Sequence, residues 1–449
     1  MIKAARISKA WNPNKSGRQG PKFDTDTAAV RPNALGEARF TSPLRRTVSD
    51  ESLIPEQIVV ESKQPSPRGL LFELAGPRAK LFFNPKKTCA GIVTCGGLCP
   101  GLNDVIRSLF LELHHAYGVR KVYGFKGGYI GLDSVRGVEP IVLTHDFVDK
   151  IHLEGGTVLG TSRGPVKIAK AVDNLIRRHV NVLFTIGGDG TQRGANELFQ
   201  EAKKRGHELS VVGIPKTVDN DVPFVTRSFG YLTAIHEAAQ VLHRAHTEAR
   251  SVANGIAVVK LMGRHAGFIA AGATVASQDV NFTLVPEVAF RLDGKNGFLA
   301  ALKKRVANRG HALVVVAEGA GQDLLESSRA QRDASGNIKL KDIGLLLRER
   351  IESFFQREKI PIVMRYFDPS YFIRSSPANA EDSILCDLFA RHAVHAAMAG
   401  KTGLVIGYLH DKFIHVPIEL LASRKKSLEP DGPAWSAVLA ATRQPEQFA

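Results

Sequence analysis

The stretch VNVLFTIGGDGTQRGANELFQEAKKRG, residues 180–206, decides the fold class of this chain. It begins with a short apolar run that leaves no polar face, which is typical of a strand buried inside a parallel sheet. The run ends in a glycine-rich loop at residues 187–190, and a helix-forming segment follows it. Strand, glycine loop and helix in this order form the repeating unit of an α/β fold with a mainly parallel sheet.

Five further segments repeat this pattern of an apolar run that ends at glycine or in a charged loop. They are CAGIVTCGG (89–97), VRKVYGFKGG (119–128), LSVVGIPKT (209–217), NGIAVVKLMG (254–263) and HALVVVAEG (311–319). Helical stretches lie between most of them. Sheets of this kind bind ligands at the carboxyl ends of their strands. Because the glycine and acidic loops all follow strands, we expect a functional site at that edge.

Length and composition limit the class of protein. The 449 residues exceed a single core, which stops growing near roughly 250–300 residues, so two or three domains are expected. The 44% hydrophobic content is ordinary for a globular protein. No apolar run approaches the roughly 18 residues that span a bilayer, so we expect no membrane partner. The four cysteines are expected to be free thiols, since no secretory signal precedes them.

The net charge of +16 raises the question of nucleic acid. Residues 1–50 hold ten Lys/Arg against four Asp/Glu, so +6 of the total lies in this segment. The remaining +10 is spread over about 400 residues without the aromatic interleaving of a nucleic-acid surface. The charge therefore suits an enzyme with phosphorylated, anionic substrates better than a nucleic-acid-binding protein.

Two loops carry the chemistry. In the first, at residues 187–191, glycines let the backbone approach a phosphate, and the following helix start offers unpaired N–H groups to an anion. Asp189 in this loop is poised for a divalent metal on that phosphate. The second, GIPKTVDND (213–221), holds a lysine and two aspartates within six residues. Turn formation accounts for Asp219 or Asn220 but not for Lys216.

The sequence GGDGT resembles a motif of one kinase superfamily: phosphofructokinases, NAD kinases and diacylglycerol-type lipid kinases. Further loops occur in a fixed order: TCGGLCPGLNDVIR (94–107), GGTVLGTSRG (155–164), GIPKTVDND (213–221), KLMGRHAGF (260–268), AEGAGQ (317–322) and DPSYFIR (368–374). Together they resemble the ATP-dependent 6-phosphofructokinases, in particular the plant and trypanosomatid type, over residues 67–444. The resemblance implies transfer of the γ-phosphate of ATP, with Mg²⁺, to the carbon-1 hydroxyl of fructose 6-phosphate.

The resemblance also implies roles for the matching residues. Asp219 matches the catalytic base, and the catalytic set is Asp219, Thr217, Arg264 and Lys216. The implied ATP-binding residues are Gly97, Gly101, Arg163, Gly164, Gly188, Asp189, Gly190 and Thr191, with Asp189 also linked to the metal. The implied sugar-phosphate contacts are Thr217, Asp219, Asp221, Met262, Gly263, Arg264, Glu318, Arg365, Tyr371 and Arg374. Arg365 aligns with an arginine that bacterial members supply from a neighbouring subunit.

For the architecture, the resemblance implies two Rossmann-like three-layer α/β domains with mainly parallel sheets and the active site in the cleft between them. We expect a basic, disordered extension over residues 1–66. An ATP-binding domain over 67–235 follows, with a C-terminal segment packing back on it, and a fructose-6-phosphate-binding domain with a C-terminal extension spans 236–449. A homotetramer, with a dimer as the alternative, is implied. The expected compartment is the cytoplasm, with the plastid as the alternative because of the basic N-terminus.

Two positions give opposite indications about the phosphoryl donor. Pyrophosphate-dependent relatives carry lysine where this chain has Lys216, but aspartate where it has Gly190. A second carboxylate at 190 would repel the α-phosphate of a nucleotide, so Gly190 favours ATP. The alternatives are a pyrophosphate-dependent enzyme and a catalytically silent regulatory subunit of the same fold. The sequence also departs from the bacterial pattern, because a second intersubunit arginine aligns with residues 254–255, where this chain has none.

Overall fold

A computed structural model describes residues 27–59, 69–162, 164, 166–325 and 340–449. The strands are β1 Thr27–Val30, β2 Asn33–Ala34, β3 Phe40–Thr41, β4 Leu53–Pro55, β5 Gly69–Glu73, β6 Lys80–Leu81, β7 Cys89–Thr94, β8 Lys121–Phe125, β9 Ile141–Val142, β10 Val182–Gly187, β11 Ser210–Pro215, β12 Gly255–Leu261, β13 Phe282–Leu284, β14 His311–Ala317, β15 Val363–Phe367, β16 Lys401–Thr402, β17 Leu404–Leu409 and β18 Lys412–Pro417.

The helices are α1 Leu102–Leu111, α2 His145–Val148, α3 Ile168–Arg177, α4 Asp189–Lys204, α5 Tyr231–Arg250, α6 Phe268–Ser277, α7 Phe298–Arg309, α8 Ile343–Arg357, α9 Ser370–Ser375, α10 Ala380–Met398, α11 Ile418–Leu421 and α12 Pro433–Thr442. A π-helical turn, Glu112–Ala116, continues α1. Short 3₁₀ helices lie at Pro85–Lys87, Gly128–Leu132, Ile151–Leu153 and Gln322–Leu324. Across the described ranges, no helix is both long enough and apolar enough to cross a membrane.

The larger sheet has seven strands in the order β18-β17-β11-β10-β7-β8-β9. The five inner strands run parallel, and β18 and β9 are antiparallel at the two edges. Every residue of β7, β10 and β11 is buried, as the continuously apolar runs predict for strands covered on both faces. We call this sheet with its helices the first unit.

The second unit is built on a four-stranded sheet of order β13-β14-β12-β15, in which all strands are parallel. All seven residues of β12 are buried, whereas the edge strand β15 is only partly covered. The predicted α/β class with mainly parallel sheets is therefore confirmed, and all six strands predicted from apolar runs are present.

The chain passes from the first unit to the second and then returns. After β11 it forms α5 and the four strands of the second sheet, and after β15 it comes back through α10. Strand β17 then pairs in parallel with β11, and β18 turns back along β17. Residues 404–417 therefore complete the first sheet, although they lie far along the chain from its other strands.

Residues 27–55 contribute four short strands, so the expectation of a disordered extension over 1–66 is wrong for residues 27–59. Strand β1 pairs in parallel with β5, and β4 pairs antiparallel with the same strand. Strands β2 and β3 pair with β16 and β6. These strands are two to four residues long, which is too short to show apolar periodicity. Residues 1–26 lie outside the described residues.

A buried ionic cluster joins this N-terminal layer to the first unit. Glu73, at the end of β5, is fully buried and accepts hydrogen bonds from Arg78 Nη2 at 2.8 Å and Lys401 Nζ at 3.2 Å. His415 Nδ1, on β18, lies 2.9 Å from the same carboxylate. Burial opposes ionisation of Glu73, but the His415 hydrogen bond and the charges around it lower its pKa to about 2.

Glu73→Gln should lower the free energy of unfolding by about 3–5 kcal/mol at pH 7, because it leaves Arg78 and Lys401 with the half-exposed Asp50 as their only described carboxylate partner. Urea unfolding measures this difference. The control Glu51→Gln removes an exposed ion pair with Arg31 and should cost less than about 1 kcal/mol.

The pKa of Glu73 is lower in the folded chain than its ordinary value of 4.5, so its contribution to stability is complete above that value. The difference between Glu73→Gln and the wild type should therefore shrink as the pH falls from 4.5 toward about 2. A difference that stays constant over this range would mean that ionised Glu73 does not stabilise the fold.

Candidate functional site

The register of the strands brings the two chemical loops side by side. Gly187, the last residue of β10, is paired with Pro215, the last residue of β11. Lys216 N then donates to Gly187 O at 3.1 Å. The glycine loop and the loop after β11, residues 216–221, therefore leave the same sheet edge next to each other. We call the second of these the aspartate loop.

The hydroxyl of Thr217 organises the aspartate loop. Its Oγ1 donates to Asp221 Oδ1 at 2.7 Å and accepts from the backbone N–H of Asp219 at 3.2 Å. One side chain thus fixes the spacing of both acids. This internal bond pattern follows from the order Thr-Val-Asp-Asn-Asp, because short hydroxyl and carboxylate side chains bond nearby backbone groups.

Asn220, between the two acids, anchors the aspartate loop to residues 226–228. It is buried, and its φ of 57° lies in the left-handed region, where asparagine is among the few side chains that are tolerated. Its Nδ2 donates to Thr226 O at 3.2 Å, and its Oδ1 accepts from Ser228 N at 2.9 Å. The sequence assigned Asn220 only a turn, whereas it also ties the aspartate loop to residues 226–228.

A second pair of loops meets the aspartate loop from the other sheet. Leu261 and Ala317 end β12 and β14 in register, and Glu318 N donates to Leu261 O at 2.9 Å. Arg264 N donates to Asp219 Oδ2 at 3.2 Å. The carboxylate of Asp219 therefore lies where the strand ends of the two units face each other.

The path of the residues after β12 depends on two glycines. Gly263 has a φ of 127°, a left-handed conformation that favours glycine. A Cβ on Gly319 would lie only 2.0 Å from Arg264 O, so the backbone of the second loop packs directly on the first. Met262, next to Gly263 in the chain, is buried. The main-chain N–H of Arg264 is thereby held at Asp219 by packing as well as by the hydrogen bond.

The carboxylates of the site resist ionisation. Burial, with the nearby charge of Asp221, raises the pKa of Asp219 to about 7. Loss of hydration and the charge of Asp221 also raise the pKa of Asp189. Burial raises the pKa of Glu318, although the charge of Arg264 opposes the shift. Of these three carboxylates, Asp219 has a pKa near neutrality, the range in which a side chain accepts and returns a proton most effectively.

The glycine loop opens helix α4. The helix begins at Asp189 with Gly188 as its N-cap, and no side chain caps its first N–H groups. Thr191 is buried, and its carbonyl accepts a 2.6 Å bond from the Tyr129 hydroxyl. The start of α4 can therefore offer backbone N–H groups to an anion.

Gly190 is open on the side where a side chain would project. Among the atoms that the structure describes, a Cβ built there would meet only Arg193 Nη2, at 3.7 Å, and the backbone is helical. The fold itself therefore leaves space for a larger residue at 190. The absence of a side chain at this position leaves that volume to a ligand.

Lys216 links the aspartate loop to the loop after β7, which contains Gly97 and Gly101. Its Nζ donates to Gly97 O at 2.6 Å, and the side chain is 6% exposed. Gly101, at the start of α1, has a φ of 97°, and a Cβ there would lie 2.5 Å from Cys386 Sγ. Only glycine fits at 101, which is a requirement of packing between α1 and α10.

The DPSYFIR segment is fixed to the second sheet by a lysine that the sequence did not single out. Lys260, on β12, is buried and lies 2.9 Å from Asp368 Oδ2, and it also pairs with Asp342. Arg374, on α9, stacks 4.4 Å from the centre of the Tyr371 ring, and Tyr371 is 69% exposed. The charge of Arg374 acts on the pKa of Glu318, so Arg374 lies close to that carboxylate.

One predicted residue, Arg365, stands apart from this group. Arg365 lies on the edge strand β15, is exposed, and has its Nε 3.6 Å from Glu248 Oε2 on α5. Arg163 lies outside the described residues. Its neighbour Gly164 is described and has a φ of 122°. Gly97 and Gly101 lie between β7 and α1, Gly164 lies in the loop before α3, and the other predicted residues lie at the strand ends, on α4 or on α9.

Comparisons with known proteins place these observations in one family. The sequence model of the Phosphofructokinase family matches residues 89–397. An "ATP-dependent 6-phosphofructokinase" from Borreliella burgdorferi is 47% identical, over 92% of this chain and 96% of the relative. An "ATP-dependent 6-phosphofructokinase 1" from Arabidopsis thaliana is 43% identical, over 92% of this chain and 87% of the relative. An "ATP-dependent 6-phosphofructokinase" from Trypanosoma brucei brucei is 47% identical, over 82% of this chain and 76% of the relative.

A solved structure shares the fold. The pyrophosphate-dependent phosphofructokinase of Marinobacter aquaeolei aligns with a TM-score of 0.66 at 21% identity, over 80% of this chain and 93% of that chain. At this identity the likeness concerns architecture alone. The family match covers more than half of the sequence, and the relatives match it along most of their own length. This chain therefore belongs to the phosphofructokinase family.

Proposed function

We propose that this protein transfers the γ-phosphate of ATP to the carbon-1 hydroxyl of fructose 6-phosphate, giving fructose 1,6-bisphosphate and ADP. The observation that carries the proposal is the position of Asp219. Its carboxylate is bonded to Arg264 N across the two units and has a pKa of about 7. Relatives described as ATP-dependent 6-phosphofructokinases support the choice of reaction.

In the proposed reaction Asp219 is the general base. The carbon-1 oxygen forms a bond to the γ-phosphorus while the bond between that phosphorus and the β–γ bridging oxygen breaks, and Asp219 takes the hydroxyl proton. A sugar hydroxyl is a poor nucleophile until that proton leaves. Thr217, already bonded to Asp221, is placed to hold the transferred group. Arg264 and Lys216 supply positive charge for the phosphoryl oxygens, as positioned cations do in such transfers.

The second unit is the proposed sugar-phosphate side. Glu318 accepts hydrogen bonds from sugar hydroxyls, next to the backbone of Met262 and Gly263. Tyr371 and Arg374 bind the 6-phosphate, for which the guanidinium fork is well suited. Arg365 is exposed on an edge strand, as a residue offered to the site of a neighbouring subunit must be. A homotetramer, with a dimer as the smaller alternative, is the proposed assembly.

The first unit is the proposed ATP side. The loop of Gly97 and Gly101, the start of α4 from Gly188 to Thr191, and Arg163 with Gly164 surround the nucleotide phosphates. The open space at Gly190 supports a nucleotide donor, because a carboxylate there would stand against the α-phosphate. The amine of Lys216 donates a hydrogen bond to Gly97 O. A lysine at this position is therefore explained by a link between two loops as well as by contact with an anion.

Magnesium is the proposed cofactor, held by Asp189 together with the nucleotide phosphates. Among the residues that the structure describes, no group of three or more His, Cys, Asp or Glu is arranged to hold a metal. A carboxylate with a raised pKa beside Asp221 nevertheless fits a hard cation that arrives with an anionic ligand. When bound, magnesium neutralises phosphate charge. The proposed compartment is the cytoplasm, or alternatively the plastid.

Asp219→Asn should reduce kcat by about 10²–10⁴-fold, because the amide cannot accept the hydroxyl proton. The KM for fructose 6-phosphate should stay within a few-fold, since the amide keeps the shape of the acid. Initial rates with ATP and Mg²⁺ measure both constants. The control Asp173→Asn changes an exposed acid on α3 and should leave both unchanged. Near-normal turnover of Asp219→Asn would remove Asp219 from the base role.

The pH dependence should report the same base. With a pKa of about 7, Asp219 is unprotonated in a growing fraction of the enzyme as the pH rises through 7, so kcat/KM should rise with it. Asp221→Asn removes a charge that raises this pKa, so the midpoint of its profile should move to lower pH. Profiles from pH 5.5 to 9, each normalised to its own plateau, measure the shift. A midpoint that moves upward contradicts the assignment.

The donor is tested by comparing ATP with pyrophosphate at matched concentrations. The wild type should phosphorylate fructose 6-phosphate with ATP and not with pyrophosphate. Gly190→Asp should lower kcat/KM for ATP about 100-fold, because like charges then face each other. Gly190→Ala adds only a Cβ to the open space and should cost far less.

The other outcomes of the donor assay are equally informative. Activity with pyrophosphate alone would show that Lys216 sets the donor and that the ATP assignment is wrong. Activity with neither donor would favour a catalytically silent subunit.

A further inference from the structure

A segment near the C-terminus crosses between the two units beside the aspartate loop. We call residues 423–428, which are part of the connection between α11 and α12, the C-terminal strap. Lys426 Nζ donates to Val225 O at 2.7 Å and to Thr226 O at 3.0 Å. The same amine lies 5.1 Å from the centre of the Phe268 ring, at the first residue of α6. One side chain therefore contacts a loop of the first unit and a helix of the second.

Both ends of the strap are fixed independently of Lys426. Leu428 is buried, and its N–H donates to Glu287 Oε1 at 2.8 Å. Glu287 also accepts from Gly267 N at 2.9 and 3.1 Å, so it joins the strap to the start of α6. At the other end Arg424 pairs with Glu56. The strap is therefore fixed at both ends by contacts that do not involve Lys426.

The contact of Lys426 leads to the aspartates in two steps. Thr226 O, which accepts from Lys426, also accepts from Asn220 Nδ2. Asn220 lies between Asp219 and Asp221 in the left-handed conformation described above. A shift of the Thr226 carbonyl would therefore remove one of the hydrogen bonds that hold the Asn220 side chain, leaving its contact with Ser228.

The charge around Lys426 is consistent with this role. Burial lowers its pKa to about 8, while the nearby charge of Asp221 opposes that shift. The ammonium thus offsets part of the negative charge of the aspartate loop without pairing with its carboxylates, since its hydrogen bonds go to main-chain carbonyls.

We propose that Lys426 is a positioning residue for phosphoryl transfer: by holding the Val225 and Thr226 carbonyls against α6, it fixes Asn220 and thereby the placement of Asp219 and Asp221. The inference rests on the proposed function, because it assigns Asp219 the role of base. Lys426 touches no reacting atom in this scheme. Its effect is on geometry, and small errors in the geometry of a base are costly to turnover.

Lys426→Met tests the inference, because methionine keeps an apolar stem over Phe268 and removes the donors. We expect kcat for fructose 6-phosphate phosphorylation with ATP to fall about 10- to 100-fold, with both KM values within about threefold of the wild type. Lys426→Arg, whose guanidinium supplies several donors, should recover most of the loss. Lys425→Met removes the same charge from the neighbouring, exposed position and should stay within about twofold of the wild type.

A double-mutant cycle tests the route through Asn220. Asn220→Gly keeps the left-handed backbone and removes the anchoring side chain. If Lys426 acts through Asn220, the kcat of the double variant should be about equal to that of the less active single variant. Losses that multiply would mean that the two residues act separately, and would overturn the route.

Melting curves are recorded for every variant. If Lys426→Met is unfolded, Lys426→Gln, which keeps one amide donor, takes its place with the same expected split between kcat and KM. A kcat within twofold of the wild type, a loss confined to KM, or an equal loss in Lys425→Met would overturn the inference. Inactivity of the wild type with ATP would instead overturn the proposed function, so the two failures are distinguishable.

Discussion

A hydrogen bond of 3.2 Å, from the main-chain N–H of Arg264 to the Asp219 carboxylate, joins the strand ends of two separate parallel sheets. Everything around it serves to hold its two ends. Thr217 and Asn220 fix the acid in the first unit, and Gly263 with Gly319 fixes the donor in the second. Parallel sheets make such a junction possible, because all their strands end at one edge and two such edges can face each other.

The same junction explains the electrostatics of the site. The carboxylates of the site are partly dehydrated; Asp221 raises the cost of ionising both Asp219 and Asp189, and Glu318 raises that of Asp219. The cations that balance them, such as Lys216 and Lys426, bond main-chain carbonyls as well. Their charge is therefore delivered at fixed positions. A site built this way is organised before a polyanionic substrate enters, which is what electrostatic stabilisation of phosphoryl transfer requires.

Much of this architecture could be predicted from the sequence, for identifiable reasons. The six strands could be predicted because burial on both faces leaves continuous apolar runs. Because parallel strands end at one edge of their sheet, the acids and glycines that follow them could be placed at that edge. The short N-terminal strands were missed because they are held by backbone pairing and by ions such as Asp50 and Arg78 rather than by an apolar face. Lys260 and Lys426 were missed because their partners are more than eighty residues away along the chain.

The return of the chain to its first sheet has a consequence for synthesis on the ribosome. Strands β7, β8, β10 and β11 emerge long before β17, so the edge of β11 has no neighbour while some two hundred residues are still being translated. Unpaired strand edges are where nascent chains associate wrongly. The carboxylate of Glu73 likewise lacks its hydrogen-bond partner His415, more than three hundred positions later, until that residue has been synthesised. The first unit thus reaches its native state only after residues 404–417 have left the exit tunnel.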